Sequence, residues 1–138
     1  MTARSRTARE ADIEDLAMAL PRAEKVPGWG GLPRYQVSKK FFVGYRSSRP
    51  DAVDAATGER LTDVLVFRVP DESDKLALVH GDGPWFTTDH FNGHSSVLLR
   101  LAHLGQLSLD ELAEVIEDAW RSQAPKSVVA RWQGTRTD

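Results

Sequence analysis

Residues 63–69, Asp-Val-Leu-Val-Phe-Arg-Val, constrain the fold more than any other part of the chain. The run has the length and β-branched content of a strand, yet it is apolar at odd and even positions alike. A strand that exposed one face to water would alternate. The pattern therefore places this segment at the centre of a sheet or beneath helices, and Pro70 ends it by removing a backbone donor. In a chain of 138 residues one such strand implies one domain, long enough to bury roughly two thirds of its unfolded surface. Ile13, Leu16, Val66, Phe67, Leu99, Leu112, Ile116 and Trp120 are expected to share a single core.

Helical signals flank the strands. Thr7 and Glu10 have the spacing of a capping box, and Ile13, Leu16, Ala17 and Leu20 then recur on one face, which predicts a helix over residues 8–20. Ser108 and Glu111 repeat the spacing ahead of Leu112, Val115, Ile116, Ala119 and Trp120, predicting a second helix over residues 109–122. Pro125 suits the first turn of a short terminal helix through Trp132. Residues 1–7 and 133–138 are expected to fray.

Between these helices the period shortens. Residues 34–37 and 41–45 flank the polar turn 38–40 and predict an antiparallel hairpin, while 85–88 and 96–101, joined across Asn92-Gly93, predict another. The Gly- and Pro-rich stretch 26–33 reads as a loop with Trp29 folded back as a lid on the core. Residues 46–60, small and charged, read as a flexible excursion. Residues 71–80 stay open between strand and helix: Leu76, Ala77, Leu78 and Val79 suit either, and acids at Asp71, Glu72 and Asp74 suit a helix start.

The absence of cysteine excludes disulfides, thiolate metal sites and cysteine nucleophiles. No apolar run approaches membrane-spanning length, so a cytoplasmic location without membrane contact is expected. The net charge of −2 gives no global positive field, but the charge is polarised: residues 21–49 carry seven basic residues against one acid, and residues 50–120 four against fourteen. Serines 95 and 96 lie near His94, yet no nucleophile elbow, oxyanion loop or phosphate-binding loop accompanies them. No catalytic site and no cofactor are expected.

Several blocks together resemble the MmcQ/YjbR family of small bacterial proteins. They are the first helix ending in Ala-Leu-Pro21, Lys40-Phe-Phe-Val, Trp85-Phe-Thr-Thr-Asp-His90-Phe-Asn-Gly93, Val97-Leu-Leu-Arg-Leu101 and Asp118-Ala-Trp120-Arg121-Ser-Gln-Ala-Pro125-Lys126. The resemblance implies a helix over 71–80 and an α+β fold similar to the frataxin-like (CyaY-like) one: an antiparallel sheet of about five strands covered by helices. The implied order is α, three strands, α, two strands and one or two terminal helices. The family is often labelled DNA-binding for a winged shape, but it supplies no catalytic residue set. Residues 46–60 are longer and more charged here than the family pattern.

The expected function is that of a non-enzymatic monomer binding DNA independently of sequence, with Arg34, Lys39, Lys40 and Arg46 of the hairpin, extended by Arg121 and Lys126, meeting phosphates. The competing explanation is that charges at a turn and on strand edges keep the sheet soluble. The alternative function is a protein-protein or small-ligand interaction module. No metal is expected: His80, Asp89, His90 and His94 straddle a turn without a fixed geometry, and Glu10, Asp12, Glu14 and Asp15 suit a helix start and its solvated face.

Overall fold

A computed structural model describes residues 6–48, 52–88, 91 and 94–136. The elements run α1 (Glu10–Met18), β1 (Glu24–Pro27), a 3₁₀ turn (Trp29–Gly31), β2 (Pro33–Val37), β3 (Lys40–Arg46), β4 (Val64–Arg68), α2 (Glu72–Val79), β5 (Ser96–Arg100), a second 3₁₀ segment (Leu101–Gln106), α3 (Leu109–Gln123) and α4 (Lys126–Arg136). The strands form one antiparallel sheet in the order β1-β2-β3-β4-β5. The fold is α+β, as expected, and 71–80 is helical, with the Asp71 carboxylate accepting the Asp74 amide at its start. Among the described residues no helix is long and apolar enough to cross a membrane.

The sheet reaches five strands by a different route from the one expected. Residues 85–88 are no strand: Phe86 makes a single bridge to Leu98, and the Asn92-Gly93 turn lies outside the described residues. The fifth strand is β1, which overlaps the loop expected over 26–33 only at Val26 and Pro27 and otherwise falls where no element was expected. It is an edge strand, exposed at Glu24, Lys25 and Pro27, so it lacks the apolar alternation that reveals inner strands.

The start of α1 also differs. Thr7 pairs with Ser108 in a bridge, flanked by the Ala8 amide on Leu107 O (2.9 Å) and the Leu109 amide on Arg6 O (2.8 Å). The bridge holds residues 6–8 in an extended pairing, so the helix begins only after Arg9, whose amide donates to the Asp12 carboxylate at 2.8 Å. Arg6 grips the same carboxylate at 2.9 and 2.7 Å, so Arg6 and Thr7 are held in place rather than frayed. At the other end, helix α4 continues past Trp132 to Arg136. The second capping box is as predicted: Ser108 Oγ accepts the Glu111 amide and Glu111 accepts the Ser108 amide.

Two apolar clusters replace the single expected core. The larger, between helices and sheet, contains Ile13, Leu65, Phe67, Leu99, Leu112, Ile116 and Trp120, with Leu16 packed against it. The smaller lies on the helix-free face and joins Val64, Val66 and Leu98 to Ala52 and Leu61. Val66 belongs there because successive side chains of β4 point to opposite faces. The predicted flexible excursion is thus a cover. Val53 bridges Arg60, and Asp54 accepts the amides of Ala56 and Thr57 at 2.7 and 3.1 Å.

Trp120 is fully buried, donates its indole N–H to Pro21 O at 3.0 Å and meets Trp132 edge to face at 5.0 Å. Trp120→Ala is expected to cost about 3–5 kcal/mol in denaturant melts. A second prediction concerns Asp12, whose carboxyl the Arg6 hydrogen bonds hold below the usual aspartate range. A carboxyl depressed in the folded state stabilises fully above its unfolded pKa and less as pH falls through the folded value. Asp12→Asn should therefore lower the melting temperature at neutral pH, and the gap to wild type should close in acid.

Candidate nucleic-acid and ligand interface

The β2–β3 turn consists of Ser38 and Lys39, both left-handed at φ 49° and 67°, between the paired residues Val37 and Lys40. Two positive φ values define the two-residue hairpin turn whose twist suits antiparallel strands. Lys39 and Lys40 are exposed at its tip.

The same end of the sheet receives the turn between α1 and β1, because Glu24 pairs with Gln36. Arg22 lies there, left-handed at φ 60°. Trp120 anchors Pro21, and α4 packs alongside, so Pro21, Arg22, Val128, Arg131 and Trp132 line one cleft of about 240 Å³. Exposed Arg22, Lys39, Lys40 and Arg131 thus leave the fold from one end, and no ion pair engages them among the described residues. Lys126 is exposed at the start of α4, whereas Arg121 stacks on Trp132 at 5.4 Å and approaches Asp118 at 3.9 Å.

The other predicted contacts lie elsewhere. Arg34 and Arg46 point to the helix-free face, opposite the side of Tyr35 and Tyr45, which pack towards the helices. Arg46 is only 5% exposed and sits over Phe91 at 5.1 Å, so it is a buried wall residue rather than a surface phosphate contact. Arg34 lies 5.2 Å from the Phe41 ring and 5.8 Å from Trp29. Gly28 lets it pass: a Cβ there would stand 2.7 Å from Arg34 Cβ.

Sequence reasoning missed Arg68, which completes the set. Its guanidinium lies 5.8 Å from the Phe41 ring and donates to Ser96 Oγ at 3.2 Å. Burial lowers its pKa. The signal was available, since Arg68 is the charged position on the Val64–Val66 face of β4.

Phe41 reaches this face through a bulge. The register shifts between Tyr35 and Gln36, opposite Val43 and Phe41, so that Phe42 and Val43 both enter the helix-side core and Phe41 turns the other way. Trp29 then meets Phe41 edge to face at 5.1 Å, a lid on the smaller cluster instead of the main core. The far wall is held by Lys75, 2% exposed, whose amine donates to Phe91 O at 2.6 Å and His94 O at 2.8 Å. These residues enclose a cleft of about 210 Å³ lined by Trp29, Phe41, Arg46, Arg68, Phe91, His94 and Ser96.

Three of the four carboxylates of α1 are engaged separately. Asp12 binds Arg6, Glu14 takes Lys25 and the Tyr35 hydroxyl, and Glu10 takes the Tyr45 hydroxyl at 2.8 Å. Asp89 and His90 lie outside the described residues. Among those described, no three His, Asp or Glu side chains form a metal-holding group. A separate groove of about 290 Å³ between α2 and α3 is acidic, with Asp74, Glu111, Glu114 and Asp118 over Leu78, Trp85 and Val115. Burial raises the Asp118 pKa.

No solved structure matches the chain. Uncharacterized protein Rv2570 of Mycobacterium tuberculosis and Uncharacterized protein Mb2600 of Mycobacterium bovis are each 41% identical to it over 113 residues, which cover 72% of this chain and 85% of each relative. The sequence profile of the YjbR family matches residues 18–122, from the end of α1 through nearly all of α3, and the chain belongs to the YjbR family.

Proposed function

We propose that this protein is a non-enzymatic, cytoplasmic module that binds nucleic acid through phosphate contacts at the end of the fold where the β2–β3 turn projects. The observation that carries this reading is the convergence there of Arg22, Lys39, Lys40 and Arg131, four exposed cations drawn from three separate chain segments. Unpaired cations at one site attract a polyanion by releasing its counterions, without reading base edges. Arg34 and buried Arg46 lie on the helix-free face and drop out as contacts of this set, and Arg121 is occupied by Trp132.

The acidic α2–α3 groove supports an orientation, since a polyanion is repelled from Asp74, Glu111, Glu114 and Asp118. Binding is weak and sequence-independent, because nothing in this set pairs with a particular base.

Fluorescence anisotropy with labelled duplex and single-stranded DNA across a salt series tests the reading. Each phosphate contact contributes about −0.9 to the slope of log affinity against log salt for duplex and about −0.7 for single strands. Lys39→Ala/Lys40→Ala should therefore flatten the duplex slope by roughly 1.8. Arg22→Ala/Arg131→Ala should flatten it comparably. No binding by the wild type at low salt would remove nucleic acid as the ligand.

A further inference from the structure

We propose that the groove between α2 and α3 is a docking site for a basic amphipathic helix of a partner protein. Lysine or arginine side chains at successive turns of that helix meet Asp74, Glu111, Glu114 and Asp118, and an apolar side chain between them enters over Leu78, Trp85 and Val115. This inference goes beyond nucleic-acid binding: the surface carries the opposite charge, and none of the cations at the β2–β3 turn belongs to it.

Charge complementarity is the first argument. Every charged side chain lining the groove is a carboxylate. Along α3 these are Glu111, Glu114 and Asp118, with Val115 beside them, a spacing that puts acids and apolar residue on one face of the helix. At a rise of roughly 1.5 Å per residue the row is about 10 Å long. Asp74 stands on the facing wall, in α2. A partner helix presents side chains at the same pitch, about one turn every 5.4 Å, whereas an extended segment repeats on one face only about every 6.6 Å. The exposed cations Arg22, Lys39, Lys40 and Arg131 leave the fold from three chain segments, so a second copy does not reproduce that pitch with them.

The apolar content of the groove is the second argument, because acids on a plain solvated helix face would need no partner. Leu78 and Val115 are half-buried along the groove, over a buried floor of Val69, Trp85 and Leu107. Trp85 is fixed in that floor by an edge-to-face contact with Phe67 at 5.1 Å. Asp118 is itself partly withdrawn from water: burial lifts its carboxyl above the usual aspartate range, against the opposing pull of Arg121 at 3.9 Å. A further cation arriving over it offsets that desolvation. Glu111 is held by its capping box, accepting the Ser108 amide at 2.9 Å, so its position is set before a partner arrives. At about 290 Å³ the groove has room for a large apolar side chain but lies at the lower limit of sites for drug-sized ligands.

The test titrates the full chain against labelled alanine-rich helical peptides by fluorescence anisotropy, with NMR to map the contact. One peptide carries lysines at successive turns beside a leucine; a second has the same composition with the lysines scattered around the helix; a third has glutamates for the lysines. Spermine serves as a cation without an apolar face. The expected result is saturable binding of the first peptide, at least about tenfold tighter than the second or spermine, with no binding of the third. Amide shifts should map to Ala77, Leu78 and Val115. Glu114→Gln/Asp118→Asn should weaken binding about tenfold. Asp15→Asn/Glu59→Gln, an equal charge change at exposed positions outside the groove, should leave it unchanged. So should Lys39→Ala/Lys40→Ala, which separates this result from any loss of DNA binding. If Glu114→Gln/Asp118→Asn fails to fold by circular dichroism, Asp74→Asn on the facing wall should weaken binding roughly threefold. Equal affinity for the scattered peptide or spermine, an unchanged affinity in the folded groove variant, or an equal loss in Asp15→Asn/Glu59→Gln would each overturn the proposal. So would shifts mapping away from the groove, no saturation at millimolar peptide, or self-association of the chain that Glu114→Gln/Asp118→Asn abolishes, which would give the groove to a second copy.

Discussion

β4 is apolar on both faces, and the arrangement of the molecule follows from covering each. Leu65 and Phe67 enter the layer beneath α1 and α3, where Ile13, Leu112, Ile116 and Trp120 meet them. Val64 and Val66 point the other way, towards a face with no helix. Leaving those two side chains in water would forfeit about 1.5–3 kcal/mol each. Ala52 and Leu61 cover them from the long β3–β4 connection, and Trp29 and Phe41 close the adjoining margin. A segment whose composition reads as a flexible excursion thereby becomes part of the packing.

That second layer is made of loops and single side chains, so it seals the face only in part. Where it stops, the sheet presents arginines stacked on rings rather than further aliphatic side chains. Stacking of this kind contributes roughly 0.5–2 kcal/mol, depending on desolvation, and it keeps a positive edge at the surface. The bulge opposite Tyr35 and Gln36 is what brings Phe41 into this arrangement. Without the extra residue Phe41 would share the face of Val43, and Arg34 and Arg68 would have no ring between them. A one-residue irregularity in a hairpin therefore separates an ordinary sheet surface from a cleft.

The legible parts of the fold were those with a local cause. The Ser108 capping box, the apolar stripe from Leu112 to Trp120 and the inner strands each carry their own signal within a few residues. The family resemblance added α2, which periodicity left open. The illegible parts depended on partners distant in sequence. Thr7 has the chemistry of a cap but is taken by Ser108 about a hundred residues away, and β1 becomes a strand only because β2 offers it an edge. The site followed the same rule. Lys39 and Lys40 were readable as turn cations, but the burial of Arg46 and the meeting of Arg34 with Arg68 across Phe41 depend on the sheet and its bulge. Arg22 and Arg131 share a cleft only because Trp120 fastens Pro21 beside α4.

The charge polarity of the sequence becomes a polarity in space for a topological reason. The sheet order β1-β2-β3-β4-β5 is the order of the strands along the chain, so lateral position in the sheet tracks position in sequence. The basic stretch 21–49 builds the β1–β3 side, and the acidic stretch 50–120 supplies α2 and α3 with the carboxylates of their groove. A crossover topology would have interleaved the two and cancelled the field. Helix α4 breaks the gradient in the reinforcing direction, returning Arg131 to the side of Arg22. At physiological salt such fields fade over about 8 Å, so each surface is felt mainly by what already touches it, and a net charge of −2 describes neither.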